Sequence, residues 1–167
     1  MSDLKQADRE FLQRAIEISR RALEDEGKTP FGAVVVVNGE IVGEGTSSVV
    51  ELLDPTAHAE VMALRHAGIK LQRHLLEDGV MYASSEPCPM CLTACYWARI
   101  PRLVFAATSH DVAANGFEDL QLYRELGRAR EQRALQEDTA GPMLRDQAVS
   151  ILRSWGDRFP DPVEPKY

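Results

Sequence analysis

Apolar residues fall at helical spacing early in the chain and then give way to an unbroken β-branched run. Phe11, Ala15, Ile18 and Ala22 recur on one face, which predicts an amphipathic helix from a cap at Ser2 or Asp3 to about Glu26, with Gly27 as its stop signal. Ala33-Val-Val-Val-Val37 then reads as a strand too short to be a membrane helix. Asn38-Gly39 is the strongest short hairpin signal, so Ile41-Val-Gly43 should return antiparallel to it. The polar, irregular Thr46-Ser-Ser48 and the residues after it, to Asp54-Pro55, read as a loop. Ala59, Met62 and Ala63 predict a second helix from His58 to about Gly68. Val80-Met-Tyr-Ala83 reads as a buried strand, a helix carrying Cys88 runs through Cys91 and Cys95 to Trp97, and Arg102-Leu-Val-Phe-Ala106 reads as another strand. Strand, helix and strand in succession imply a parallel pair. A hairpin followed by such a unit predicts a three-layer α/β/α sandwich with a mixed central sheet.

Beyond Ala107 the pattern changes. Residues 108–116 read as a loop and Phe117 to Tyr123 as a short helix. Residues 128–141 are highly charged with no sustained apolar face, a solvated helix or linker. Met143 to Trp155 recovers helical spacing, and Phe159-Pro-Asp-Pro-Val-Glu-Pro165 cannot be helical because its prolines remove donors and fix extended geometry. The expected organisation is one domain over residues 1–167, with residues 108–167 a C-terminal helical extension and tail.

Composition narrows the partners. A formal net charge of -7 over 167 residues argues against a partner dominated by phosphate backbone, so nucleic acid is not expected. No apolar run approaches the ~20 residues that span a bilayer, and the N-terminus lacks a basic flank followed by an apolar core. Three cysteines are too few for a disulfide framework, and a reducing, cytoplasmic setting fits.

Two stretches carry chemistry. Glu86-Pro-Cys-Pro-Met-Cys91 puts two thiols three residues apart where a strand-like run becomes helix-like, so both sulfurs can grip one metal ion while the helix N-terminus favours their thiolate forms. Pro55-Thr-Ala-His-Ala-Glu60 offers the partner. Two thiolates, the His58 imidazole and one water make a tetrahedral zinc site with an open position, the catalytic rather than the closed structural pattern. Glu60 is not needed to hold zinc, but it is placed as the proton acceptor that a water there requires. Taken singly, Cys88 and Cys91 could be small buried hydrophobes and His58 a core or surface histidine. Their combination with Glu60 favours the metal. Cys95 is left over, His66, His74 and His110 have no ligand-like companion, and Phe31 is either a core residue or the floor of a pocket for a flat ring.

The His-x-Glu and Pro-Cys-x-x-Cys pair is a known signature of zinc-dependent nucleobase deaminases. Joined by Pro30-Phe-Gly-Ala-Val-Val35, Tyr96-Trp-Ala-Arg99, Gly116-Phe-Glu-Asp119 and a C-terminal tyrosine, it makes nearly the whole chain resemble the bacterial guanine deaminases of the cytidine-deaminase superfamily. The metal motif is shared with cytosine, tRNA-adenosine and deoxycytidylate deaminases. The Gly116 to Asp119 segment and Tyr167 point to the guanine branch. The resemblance implies zinc on His58, Cys88 and Cys91, proton transfer by Glu60, and Asp119 facing the amino group as a second proton carrier. It further implies substrate contacts from Phe31, Ser47, Ala59, Trp97 and Tyr167, the last closing the pocket. A homodimer is also implied, with a C-terminal segment that can exchange between subunits.

One position departs from the pattern. Ser47 stands where the guanine branch has an asparagine, and a hydroxyl lacks an amide's simultaneous donor and acceptor. Deamination of guanine is expected, with an aminotriazine, pterin or cytosine left open. A tRNA adenosine deaminase is a further alternative that the acidic balance disfavours. A zinc-stabilised interaction domain is disfavoured by Glu60, since a structural site more often takes a fourth protein ligand.

Overall fold

Helix α1, Gln6–Glu24, turns its predicted stripe inward: Phe11, Leu12, Ala15 and Ile18 pack on Val34, Val36, Tyr82 and Val104. This computed structural model describes residues 4–24 and 27–161, so the cap expected at Ser2 or Asp3 lies outside the described residues. Gly27, at φ 62°, ends the helix as expected. The chain divides into two compact units, residues 1–127 and 128–167.

In the first unit the β-branched run is strand β1, Gly32–Val37, and it is buried along its whole length. Val34 and Val36 face α1, while Ala33, Val35 and Val37 belong to the core on the opposite face. Burial on both faces explains why the run is continuous rather than alternating. Asn38 and Gly39 both take positive φ, 51° and 79°, the turn whose twist suits a two-residue hairpin. Strand β2, Glu40–Thr46, returns antiparallel to β1.

Among the described residues the sheet has four strands in the order β2-β1-β3-β4. β3, Gly79–Ser85, is antiparallel to β1, and β4, Arg102–Ala107, is parallel to β3, so the sheet is mixed as predicted. Helix α1 covers one face. The opposite core joins Ala59, Ala63 and Ala67 of α3 (Ala59–Leu71) and Cys95 of α4 (Pro89–Trp97) to Val35, Met81 and Ala83 of the sheet.

Helix α3 lies directly on β2 because glycines leave room for it. A Cβ at Gly43 would stand 2.2 Å from the Ala63 carbonyl oxygen, and one at Gly45 would stand 2.0 Å from that of Ala59. That contact fixes the start of α3, where His58 and Glu60 sit.

Two helices lie where the sequence suggested loops. Val49–Leu52 form α2, too short to show a period and ended by Leu53 at φ 50°. Ser109–Ala114 form α5, opened by a capping box in which Thr108 Oγ1 accepts from the Asp111 backbone N–H and Asp111 accepts from that of Thr108. Helix α6, Asp119–Leu126, completes the unit. The second unit holds a 3₁₀ turn at Arg130–Gln132 and helix α7, Pro142–Gly156, whose Trp155 meets Phe159 beyond the helix edge to face, with ring centroids 4.7 Å apart.

Candidate active site

His58 and Cys88 are the N-cap residues of α3 and α4, both with extended backbone, so two helix starts converge on one point. Cys88 therefore precedes its helix, and Cys91 is the third helical residue. The helix dipoles favour negative sulfur there. His58 Nδ1, Cys88 Sγ and Cys91 Sγ all lie within 4.8 Å of one another, and Nδ1 is 3.6 Å from Cys88 Sγ. With Zn–S and Zn–N bonds of about 2.3 and 2.0 Å, the nitrogen–sulfur edge of a zinc tetrahedron is about 3.5 Å, so His58 and Cys88 stand close to the separation this ion requires.

The donors' electrostatics agree. Hydrogen bonding from Cys91, and then from His58, pulls the Cys88 thiol well below its ordinary value against its burial. Hydrogen bonding to Cys88 together with burial pushes Cys91 up, and hydrogen bonding to Cys88 raises His58. A dication among these groups would take the place of the shared protons.

Glu60, the second residue of α3, is only 6 % exposed, and burial raises its carboxyl against the opposing effect of a hydrogen bond with Cys91. Asp119 opens α6, and burial, then the nearby Cys88 charge, raises its pKa. Both carboxylates line a cavity of about 480 Å³ together with His58, Cys88, Phe31, Ser47 and Ala59. Phe31 packs on the core and also lines the cavity.

Cys91, fully buried, completes the donor set beside the cavity. The structure does not bring Trp97 to the cavity. It is the last residue of α4, at the far end of the helix from Cys88, and its ring is 76 % exposed. Tyr167 lies outside the described residues. The remaining histidines take no part, and the exposed His66 has its Nδ1 2.6 Å from the Glu44 carbonyl oxygen.

Several residues were missed in the sequence. Phe117 meets Phe31 edge to face, with ring centroids 4.8 Å apart, at the cavity wall. It sits two places before Asp119, but nothing local announces a contact across such a separation. Tyr123 donates to the Pro87 carbonyl at 2.7 Å, latching α6 to the loop before Cys88, and burial pushes its phenol up to about 12. Glu86 accepts from the Ser109 N–H at 2.7 Å and holds the same loop to the start of α5. Val49, Val50 and Glu51 line the cavity from α2, a helix too short to be predicted.

A family model described as the cytidine and deoxycytidylate deaminase zinc-binding region matches residues 5–107, a span that contains His58, Glu60, Cys88 and Cys91. The chain belongs to this family. It is a hydrolytic deaminase with a zinc cofactor. Its relatives in the family include the guanine deaminase of Bacillus subtilis, 45% identical over 126 residues, or 75% of this chain and 80% of that one. The solved structure of guanine deaminase from Bacillus subtilis superposes with a TM-score of 0.84 at 36% identity, covering 96% of this chain and 99% of that one. The tRNA-specific adenosine deaminase of Buchnera aphidicola is 42% identical over 94 residues, 56% of this chain, which spans 62% of that protein's length. The likeness to the Bacillus subtilis structure agrees with the mixed-sheet sandwich of this deaminase.

Proposed function

We propose that this deaminase hydrolyses guanine to xanthine and ammonia. The observation that carries the reading is the shared cavity: a buried carboxylate, Glu60, lines the same wall as His58 and Cys88, with Asp119 also on it. The likeness to guanine deaminase over 96% of the chain supports the base. Zinc on His58, Cys88 and Cys91 would supply a Lewis acid that makes water nucleophilic near neutral pH.

The chain's own groups do the rest. Glu60 takes one proton from the attacking water and delivers it to a ring nitrogen; the proton left on the added hydroxyl is the second, released as the C=O bond forms and the C–N bond to the amine breaks. Asp119 faces the amino group and carries the second proton that turns it into ammonia. Phe31 and Phe117 offer aromatic surface to a flat heterocycle, and burial of Ala59, Ser85 and Cys88 keeps bulk water from the reacting end. Tyr167 would close the pocket.

The chain assembles as a cytoplasmic homodimer in this reading, and residues 108–167 are the extension of a single deaminase domain. Met143, Ile151 and Leu152 of α7 are more than 70 % exposed and would be covered by a second subunit. Light scattering at micromolar concentration checks the assembly. Ammonia release from zinc-loaded protein, screened against guanine, cytosine, pterins, aminotriazines and a tRNA anticodon arm, tests the substrate. Guanine as the dominant hit is expected. Preference for the anticodon arm would replace it with the activity named for the Buchnera relative.

A further inference from the structure

The cavity has a buried end and an open one. Ala59, Glu60, Ser85 and Cys88 at the first are all buried, whereas Gly27, Thr29, Val50 and Glu51 at the other are exposed. Across the open end the loop after α1 faces α2. There Lys28 Nζ stands 2.5 Å from Glu51 Oε1, and both residues line the cavity.

The two ends of this bridge differ in firmness. Lys28 is pinned where α1 ends, its N–H donating to the Ala22 carbonyl at 2.9 Å, and its side chain is only 21 % exposed. None of the four residues of α2 is buried, so that helix draws little of its position from packing. An element of this kind sits at the low end of local stability and is held by contacts such as the Lys28–Glu51 pair.

We propose that the Lys28–Glu51 ion pair bars the mouth of the cavity and selects free bases over their N-glycosylated forms. The inference deepens the proposed function and rests on it. A heterocycle must present the carbon bearing its amine to the buried end, at His58 and Glu60. The far edge of the ring, where a purine carries its sugar, then points to the open end. A free base leaves the bar closed behind it. A ribonucleoside has to part the pair, and a nucleotide must in addition bring its phosphate against the Glu51 carboxylate.

The test compares kcat/KM for guanine, guanosine and guanosine 5′-monophosphate in the zinc-loaded wild type, Lys28→Ala, Glu51→Ala, and the exchanged pair Lys28→Glu with Glu51→Lys. Each single variant should raise the guanosine-to-guanine ratio about fivefold, the most that a partly exposed ion pair resists being parted, and the exchanged pair should bring it back toward wild type. Salt adds a reading that a merely structural role would not move. Raising ionic strength should narrow the wild-type discrimination and leave a Lys28→Met, Glu51→Gln variant unchanged.

If another base than guanine is turned over, the same ratio is taken for that base and its ribonucleoside. If none is, calorimetric dissociation constants of guanine and guanosine replace the kinetic ratio. Failure of the substrate reading is thus separate from failure of the bar. A ratio unmoved in both single variants with normal zinc content, or a wild type that accepts base and nucleoside equally, overturns the proposal.

Discussion

Asp8 on α1 and Arg102 at the start of β4 form a two-pronged ion pair, with nitrogen–oxygen distances of 2.7 and 2.8 Å, across 94 positions of sequence. Tyr82 of β3 donates to the same carboxylate at 2.6 Å. One acidic group thereby ties the first helix to the two parallel strands, and the C-terminal end of β3 leads straight to Cys88. The bonds from Arg102 and then Tyr82 hold the Asp8 carboxyl well below the usual carboxylate range, while burial and the Asp8 charge push the Tyr82 phenol up to about 12.

Asp8→Asn should lower the melting temperature at neutral pH by about 4–8 °C, equivalent to about 2 kcal/mol for bonds to a charged group. The folded-state pKa lies below the ordinary value of 3.8, so the contribution is full above that value and is lost as pH falls through the folded one. The gap between wild type and variant should be constant from about pH 5 to 8 and close as the pH drops below about 4. Melting curves at matched zinc content check this, since acid release of the metal affects both proteins alike. A gap that persists undiminished at low pH would mean that the carboxylate's charge is not what stabilises the fold.

Glu60→Gln should keep zinc and lose turnover. The amide preserves size but has no basic lone pair for a proton, and a positioned acid–base group contributes about 10²- to 10⁴-fold. Metal analysis and steady-state rates on one preparation read both effects. Near-normal turnover in a zinc-replete variant would remove Glu60 from proton transfer.

The donor set was legible because its signals are local. His58, Glu60, Cys88 and Cys91 stand at short fixed spacings beside recognisable helix starts, and β1 announces itself as a β-branched run ending in Asn38-Gly39. The cavity's other walls were less so. Trp97 lies near Cys91 in sequence, yet the direction of α4 carries it away, and Phe117 reaches Phe31 only through the path of α5 and α6. Helix α2 has four residues, fewer than a periodicity can reveal. Helix α5 could have been found from Thr108 and Asp111 at capping-box spacing.

The glycines of β2 hold a prediction about the metal. Gly45→Ala puts a methyl 2.0 Å from the Ala59 carbonyl oxygen and 2.6 Å from the Ala63 nitrogen, both backbone atoms that cannot turn aside. Helix α3 has to shift, taking His58 with it. The expected loss is about 1–3 kcal/mol of stability, accompanied by weaker zinc retention against a chelator. Gly156→Ala, whose new methyl meets nothing within 4 Å, should be neutral or slightly stabilising. Equal zinc retention in the two variants would show that β2 does not set the position of His58.

Tyr123 is expected to act on the reaction through Asp119. Its hydroxyl holds α6 to the Pro87 carbonyl at 2.7 Å, and Asp119 is the first residue of that helix, so the bond fixes the distance between the carboxylate and the Cys88 loop. Tyr123→Phe removes the donor while keeping the ring. The stability cost should be about 0.5–1.5 kcal/mol, the usual net value of one neutral hydrogen bond. The kinetic cost should appear mainly in kcat, because a displaced Asp119 protonates the leaving amine less well while the aromatic walls still hold the ring. A double-mutant cycle separates this from general loosening. If Tyr123 works by placing Asp119, then Tyr123→Phe should lower kcat in the wild-type background and change it little once Asp119→Asn is present. Full additivity of the two losses, at unchanged zinc content, would show that Tyr123 supports the fold without aiming the carboxylate.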